Sequence, residues 1–189
     1  MRTDSWGLYF LAAAAMSALA AWATPLPGEV AITGAFQSIP GTAAISSFFN
    51  SIATNQTLLG TIILSVLAVM YFLMPPRETV LPIAGLAGGV LMTWVVQGIV
   101  QRTGTTIFPS EPVLIYTAWL GTLALVSKRR IRADLVRKVT VGLLVLIIIL
   151  AGIAQLRTEQ AMFVDVAGAW LWGLTWVMWL HQSTRNIGA

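Results

Sequence analysis

Val96 to Val113 reads VQGIVQRTGTTIFPSEPV. This polar gap parts two apolar runs, Val80–Val100 and a shorter one from Val113, that we read as membrane spans. It holds two charges, Arg102 and Glu111, and two turn-forming residues, Gly104 and Pro109, in a chain where charge is scarce. Apolar runs broken by short polar gaps predict an all-α, polytopic membrane protein, and this gap is one of its outer turns.

Composition supports that reading. Hydrophobic residues make up 57% of the 189 and charged residues 10%, against about 25% charged in ordinary soluble domains. Mean hydropathy is +0.82. A water-soluble fold cannot hide that much apolar surface. Without cysteine the chain has no disulfide, thiolate metal site or cysteine nucleophile. Its single histidine, His181, excludes multi-histidine metal sites. Neither a metal nor another cofactor is expected. The net charge of +4 reflects Lys and Arg gathered in cytoplasmic loops and not a nucleic-acid surface.

Working outward from the gap, one membrane domain over 1–189 divides into six spans at about 6–23, 57–74, 80–100, 112–127, 139–156 and 161–180. Pro75-Pro76-Arg77-Glu78 reads as the turn before the third span, with Pro82 in that span's first turn. Gly85, Gly88 and Gly89 give it a small-residue face for close packing. Residues 24–56, with three prolines and three glycines before an apolar stretch at helical spacing, read as an outer segment carrying one or two interfacial helices. Residues 127–140 read as a basic cytoplasmic loop. The first run also fits a cleaved signal peptide, since Ala21-Trp22-Ala23 has small-x-small spacing; a single Arg2 offset by Asp4 favours a retained span.

Six alternating spans with both termini in the cytoplasm place nine of the eleven basic residues inside, as the positive-inside rule requires. The expected location is the cell membrane. The two exceptions, Arg102 and Arg157, fall at the outer ends of the third and fifth spans, while Ser110-Glu111 opens the fourth and Asp165 lies in the first turns of the sixth. Four helix ends thus bring two arginines and two acids to one face. One reading is helix-locking ion pairs, Arg157 with Asp165 or Arg102 with Glu111, with Ser110 as a helix N-cap. The other is a seat where arginines and a helix N-terminus meet a phosphate.

Three stretches, VQGIVQRTGTT, IFPSEPV and AQLRTEQAMFVDVAGAWLWG, resemble in order and spacing the signatures of the type-2 phosphatidic acid phosphatase (lipid phosphate phosphatase) superfamily. The resemblance runs from about Gln37 to Gly173 and implies its six-helix bundle. The family pattern is K-x6-R-P, then P-S-G-H, then S-R-x5-H-x3-D. Carried over, Pro109, Ser110 and Asp165 match. Gln97, Gly104 and Thr105 stand at the lysine, arginine and proline of the first signature, and Arg102 lies in the same loop. Glu111 and Pro112 replace the glycine and histidine of the second. Ala154, Gln155 and Ala161 stand at the serine, arginine and nucleophilic histidine of the third, with Arg157 two positions away.

Alanine and proline do no nucleophilic or general-acid work. The resemblance therefore implies a catalytically inactive relative that binds a lipid phosphate through Arg102, Ser110, Glu111 and Arg157, or serves as a scaffold or assembly subunit beside a membrane protein partner. Two other functions stay open. One is a phosphatase acting on phosphatidic acid or polyprenyl diphosphate by an altered mechanism, with Asp165 or Glu111 as nucleophile or base. The other is a small transport or channel component, although no span carries an acid or base near its centre.

Overall fold

The computed structural model describes residues 5–22, 25–39, 43–54, 63, 66, 76–100 and 107–186. Those residues form helices and turns with no strand among them. In chain order the helices are α1 (Ser5–Trp22), α2 (Glu29–Gln37), α3 (Ala43–Thr54), α4 (Pro76–Ile99), α5 (Glu111–Arg130), α6 (Asp134–Arg157) and α7 (Phe163–Asn186). The expected second span, 57–74, lies outside the described residues except for helical 63 and 66. Among the described residues, three helices are long and apolar enough to cross a membrane: Thr79–Ile99, Asp134–Arg157 and Phe163–Thr184. On α6, Leu135, Leu143, Leu146 and Ile149 stay exposed, a surface suited to hydrocarbon and not to water.

Helix α7 is the spine and packs against α1, α2, α4, α5 and α6. Its polar contacts fix the direction of its neighbours. Ser110 and Asp165 meet at the start of α5 and α7. At the far ends Arg129 bonds His181 and Thr184, so α5 and α7 run parallel. Helix α1 runs the other way: Ser17 Oγ accepts from Trp172 Nε1 at 3.0 Å, while Trp6 lies by Trp179. Helix α4 also opposes α7. Trp176 Nε1 donates to the Ala84 carbonyl at 3.1 Å, and Gln97 near the other end of α4 reaches Pro109.

Close approach explains two glycines. A Cβ on Gly88 would lie 1.9 Å from the Trp176 ring, and one on Gly168 would lie 2.3 Å from the Phe108 ring. The expected small-residue face of α4 is thus a packing face against α5 and α7. Gly85 and Gly89 lie against Thr122, Ala118 and Ile115 on α5.

Several boundaries differ from those expected. Pro76 opens α4, so Pro76–Glu78 form its first turn and Pro82 lies inside the helix. Proline suits the first helical position, and the later ring is tolerated in a fully buried site. The basic 127–140 segment is mostly helix: α5 runs through Arg130, α6 starts at Asp134, and only 131–133 turn. Lys128, Arg129 and Arg130 complement the C-terminal end of the α5 dipole. Asp134 pairs with Arg137 and, at 2.7 Å, with Lys138 in the first turns of α6. Residues 24–56, expected as an outer interfacial segment, carry two helices; α2 covers the ends of α6 and α7 and α3 packs along α6.

Candidate functional site

The polar end of the bundle is built where α5 and α7 begin. Ser110 occupies the N-cap position of α5, with Pro112 in the first turn. Its side chain makes no capping bond; its backbone N–H donates to the Asp165 carbonyl at 3.1 Å. Phe108, 1% exposed, wedges its ring onto Gly168 of α7. Gln97, at the resemblance's lysine position, donates from Nε2 to the Pro109 carbonyl at 3.3 Å. These three contacts hold 108–110 across the top of α7.

The start of α7 presents backbone donors that lack helical partners, and the chain satisfies them itself. Asp165 Oδ2 accepts from Met162 N at 2.8 Å, the acid half of a capping box. Thr33 Oγ1 accepts from Phe163 N at 3.2 Å. Glu29 Oε1 accepts from Val164 N at 3.3 Å. The Asp165 amide itself donates to the Met162 carbonyl at 3.0 Å. Asp165 is 0% and Glu29 2% exposed, so two carboxylates are buried against the positive end of this helix.

Glu29 has a second task. Its Oε2 accepts from Leu26 N at 3.0 Å, and Gly28 between them takes φ 81°, a left-handed turn that glycine adopts freely. One carboxylate thereby fixes the entry to α2 and the start of α7.

Helix α2 continues the same seam. Gln37 Nε2 donates to the Leu156 carbonyl at 3.4 Å, and Phe36 stacks on Phe163 with centroids 6.2 Å apart. Beyond α2, the Arg157 guanidinium donates to the Ile39 carbonyl. The α6–α7 turn lies beneath this strap. Glu159 there has φ 60°, and Ala161 N reaches back to the Gln155 carbonyl at 3.3 Å. A cavity of about 230 Å³ remains between strap and turn, lined by Thr33, Gln37, Glu159, Ala161 and Met162 among others.

The residues expected to share a site are only partly brought together. Ser110 and Asp165 touch through their backbones. Arg157 turns to the strap, Glu111 is exposed at the start of α5, and Arg102 lies outside the described residues. Ala154, Gln155 and Ala161 are all buried. His181 lies with Arg129 at the opposite end of α7.

Glu29, Thr33 and Gln37 are the site residues that sequence reading passed over. Their signal is a polar stripe at i, i+4 and i+8 in an otherwise apolar helix, EVAITGAFQ. Chemically, the arrangement holds carboxylates where a phosphate would otherwise meet helix N–H groups. No protein family, curated protein or solved structure matches this chain.

Proposed function

We propose that this chain is a non-catalytic multi-pass protein of the cell membrane, related in architecture to lipid phosphate phosphatases, that works as a scaffold or assembly subunit for a membrane partner. The basic ends of α5 and α6 face the cytoplasm, together with both termini. The α6–α7 turn and its strap face outside.

The carrying observation is how the donors at the start of α7 are used. Met162, Phe163 and Val164 N–H go to Asp165, Thr33 and Glu29. The amides that a lipid phosphate would need at this helix start are already taken by the chain's own side-chain oxygens. Ala161, at the position the resemblance gives to the nucleophile, has only a methyl to offer the cavity. The Asp165 carboxylate is fully buried and bonded to a backbone amide, which leaves it poorly placed to attack phosphorus.

The test is turnover and binding on purified full-length protein. Phosphatidic acid and polyprenyl diphosphate are offered in mixed micelles, and phosphate release is followed. The expected result is no release and no saturable binding that responds to Arg157→Ala. Release abolished by Asp165→Asn would overturn the proposal in favour of an altered phosphatase mechanism. Binding weakened by Arg157→Ala would replace the scaffold role with lipid-phosphate capture.

A further inference from the structure

The positive charge of this chain is concentrated in one place. Residues 128–138 read KRRIRADLVRK, six cations and one acid. The rest of the chain has five cations against six acids, so this stretch supplies the whole of the net +4. The fold draws it into one rim, because α5 ends at Arg130, α6 begins at Asp134 and only three residues turn between them. We infer that this rim binds the headgroup phosphate of anionic phospholipids in the leaflet it faces.

The cations differ in how far they are engaged. Arg129 donates to His181 and Thr184 and so ties α5 to α7. Arg137 and Lys138 reach Asp134, in exposed pairs of small net worth. The Lys138 side chain is still 73% exposed. Lys128 and Arg132 are exposed, and among the described residues neither has an ion-pair partner. A single acid leaves the charge of the rim unbalanced. Clusters of about four to eight Lys or Arg at the end of a membrane helix attract anionic lipids, each cation strengthening the attraction about fivefold.

The adjoining surface selects a lipid over a soluble polyanion. Leu135, Val136 and Val139 are 75%, 54% and 52% exposed. They alternate with Arg137 and Lys138 in the first turns of α6, a helix apolar and long enough to cross a membrane. Leu135 to Val139 spans about 6 Å of helix, so charge and hydrocarbon contacts lie at nearly one depth. A phospholipid offers the matching pair, a phosphate with acyl chains directly beneath it. A nucleic acid or an acidic protein would bring the charge alone and leave these three side chains uncovered.

The inference goes beyond the scaffold reading and shares no residue with the polar end. Only the choice of leaflet rests on the orientation given there, and the test below does not depend on orientation.

The purified full chain in detergent micelles is titrated with phosphatidylglycerol or with phosphatidylcholine of the same acyl chains, and bound lipid is counted by native mass spectrometry. Half-occupancy by phosphatidylglycerol should need about tenfold less lipid, as one or two cations on one phosphate predict. The preference should shrink in concentrated ammonium acetate, because exposed charges are screened. Lys128→Gln, Arg132→Gln and Lys138→Gln together should cut it about fivefold, while Arg157→Gln leaves it unchanged. Asp134→Asn, which removes the one acid, should raise it. Equal uptake of the two lipids overturns the proposal. So does a preference that survives the triple change, or one that depends on Arg157, which would move lipid capture to the polar end. Uptake of polyglutamate or oligothymidylate in place of lipid, lost in the triple variant, would overturn it in favour of a soluble polyanion. If the triple variant fails to fold, the wild-type preference and its response to Asp134→Asn still decide.

Discussion

The Val164 amide donates to Glu29 Oε1 at 3.3 Å across 135 positions of sequence. The carboxylate is 2% exposed and its other oxygen holds Leu26 N. Hydrogen bonds to charged groups contribute roughly 1.5–3 kcal/mol each, and a buried donor left unsatisfied costs a similar amount. Glu29→Ala should therefore destabilise the protein by about 3 kcal/mol, read as a lower melting temperature in detergent. Glu29→Gln keeps one carbonyl acceptor and should lose about half as much. Equal melting of wild type and Glu29→Ala would show that the seam contributes nothing to stability.

Asp165 tests whether a capping carboxylate is only structural. Asp165→Ala removes the acceptor for Met162 N and should cost about 2 kcal/mol, in the range of lost N-terminal caps and charged hydrogen bonds. Asp165→Asn retains an oxygen and should cost about 1 kcal/mol by the same measure. Both variants should leave phosphate release at the background level of the wild type, followed with phosphatidic acid as substrate.

The fold was largely readable where composition alone decides it. The apolar runs at 80–100, 139–156 and 161–180 correspond to α4, α6 and α7, because a helix that meets hydrocarbon must be apolar over most of its length. Helix ends were harder to read. Lys128–Arg130 and Asp134–Lys138 look like a loop by hydropathy, yet their charges favour the helix termini they occupy. The polar end was legible only in part. Ser110 and Asp165 announced themselves as polar residues at helix starts, and they do meet. Glu29 did not, because it lies in a short helix whose partner begins 126 residues after that helix ends, and no local pattern reports a pairing of that kind. Arg157 was readable as a charge at a helix end, but one of its acceptors is a backbone carbonyl at Ile39, and every residue has one of those.

Phe108 and Gly168 form a contact with no spare room. A methyl on Gly168 would meet the Phe108 ring at 2.3 Å, and overpacking of that sort costs about 1–3 kcal/mol. Gly168→Ala should lower the melting temperature accordingly. Phe108→Leu combined with Gly168→Ala should be more stable than the two single effects predict, with a coupling of about 1 kcal/mol. Strict additivity in a denaturation cycle would show that the ring moves away without cost.

Glu159 holds a left-handed backbone at φ 60°, a conformation that costs a side-chain-bearing residue roughly 1–2 kcal/mol. Glu159→Gly should stabilise the α6–α7 turn by about 1 kcal/mol once the greater freedom of unfolded glycine is offset. A raised melting temperature is the expected reading. A fall of the same size would mean that the carboxylate supplies more than the backbone loses.

The polar stripe of α2 also bears on how the chain is made. Glu29 and Thr33 leave the ribosome well before the amides they bind, Val164 and Phe163, which follow 135 and 130 positions later. At about 5–20 residues per second, that delay is roughly 7–27 seconds. Throughout it the carboxylate must wait in water or borrow another partner. A newborn chain is therefore unlatched at one rim until Val164 has emerged, and a quality-control protease has its clearest opportunity there.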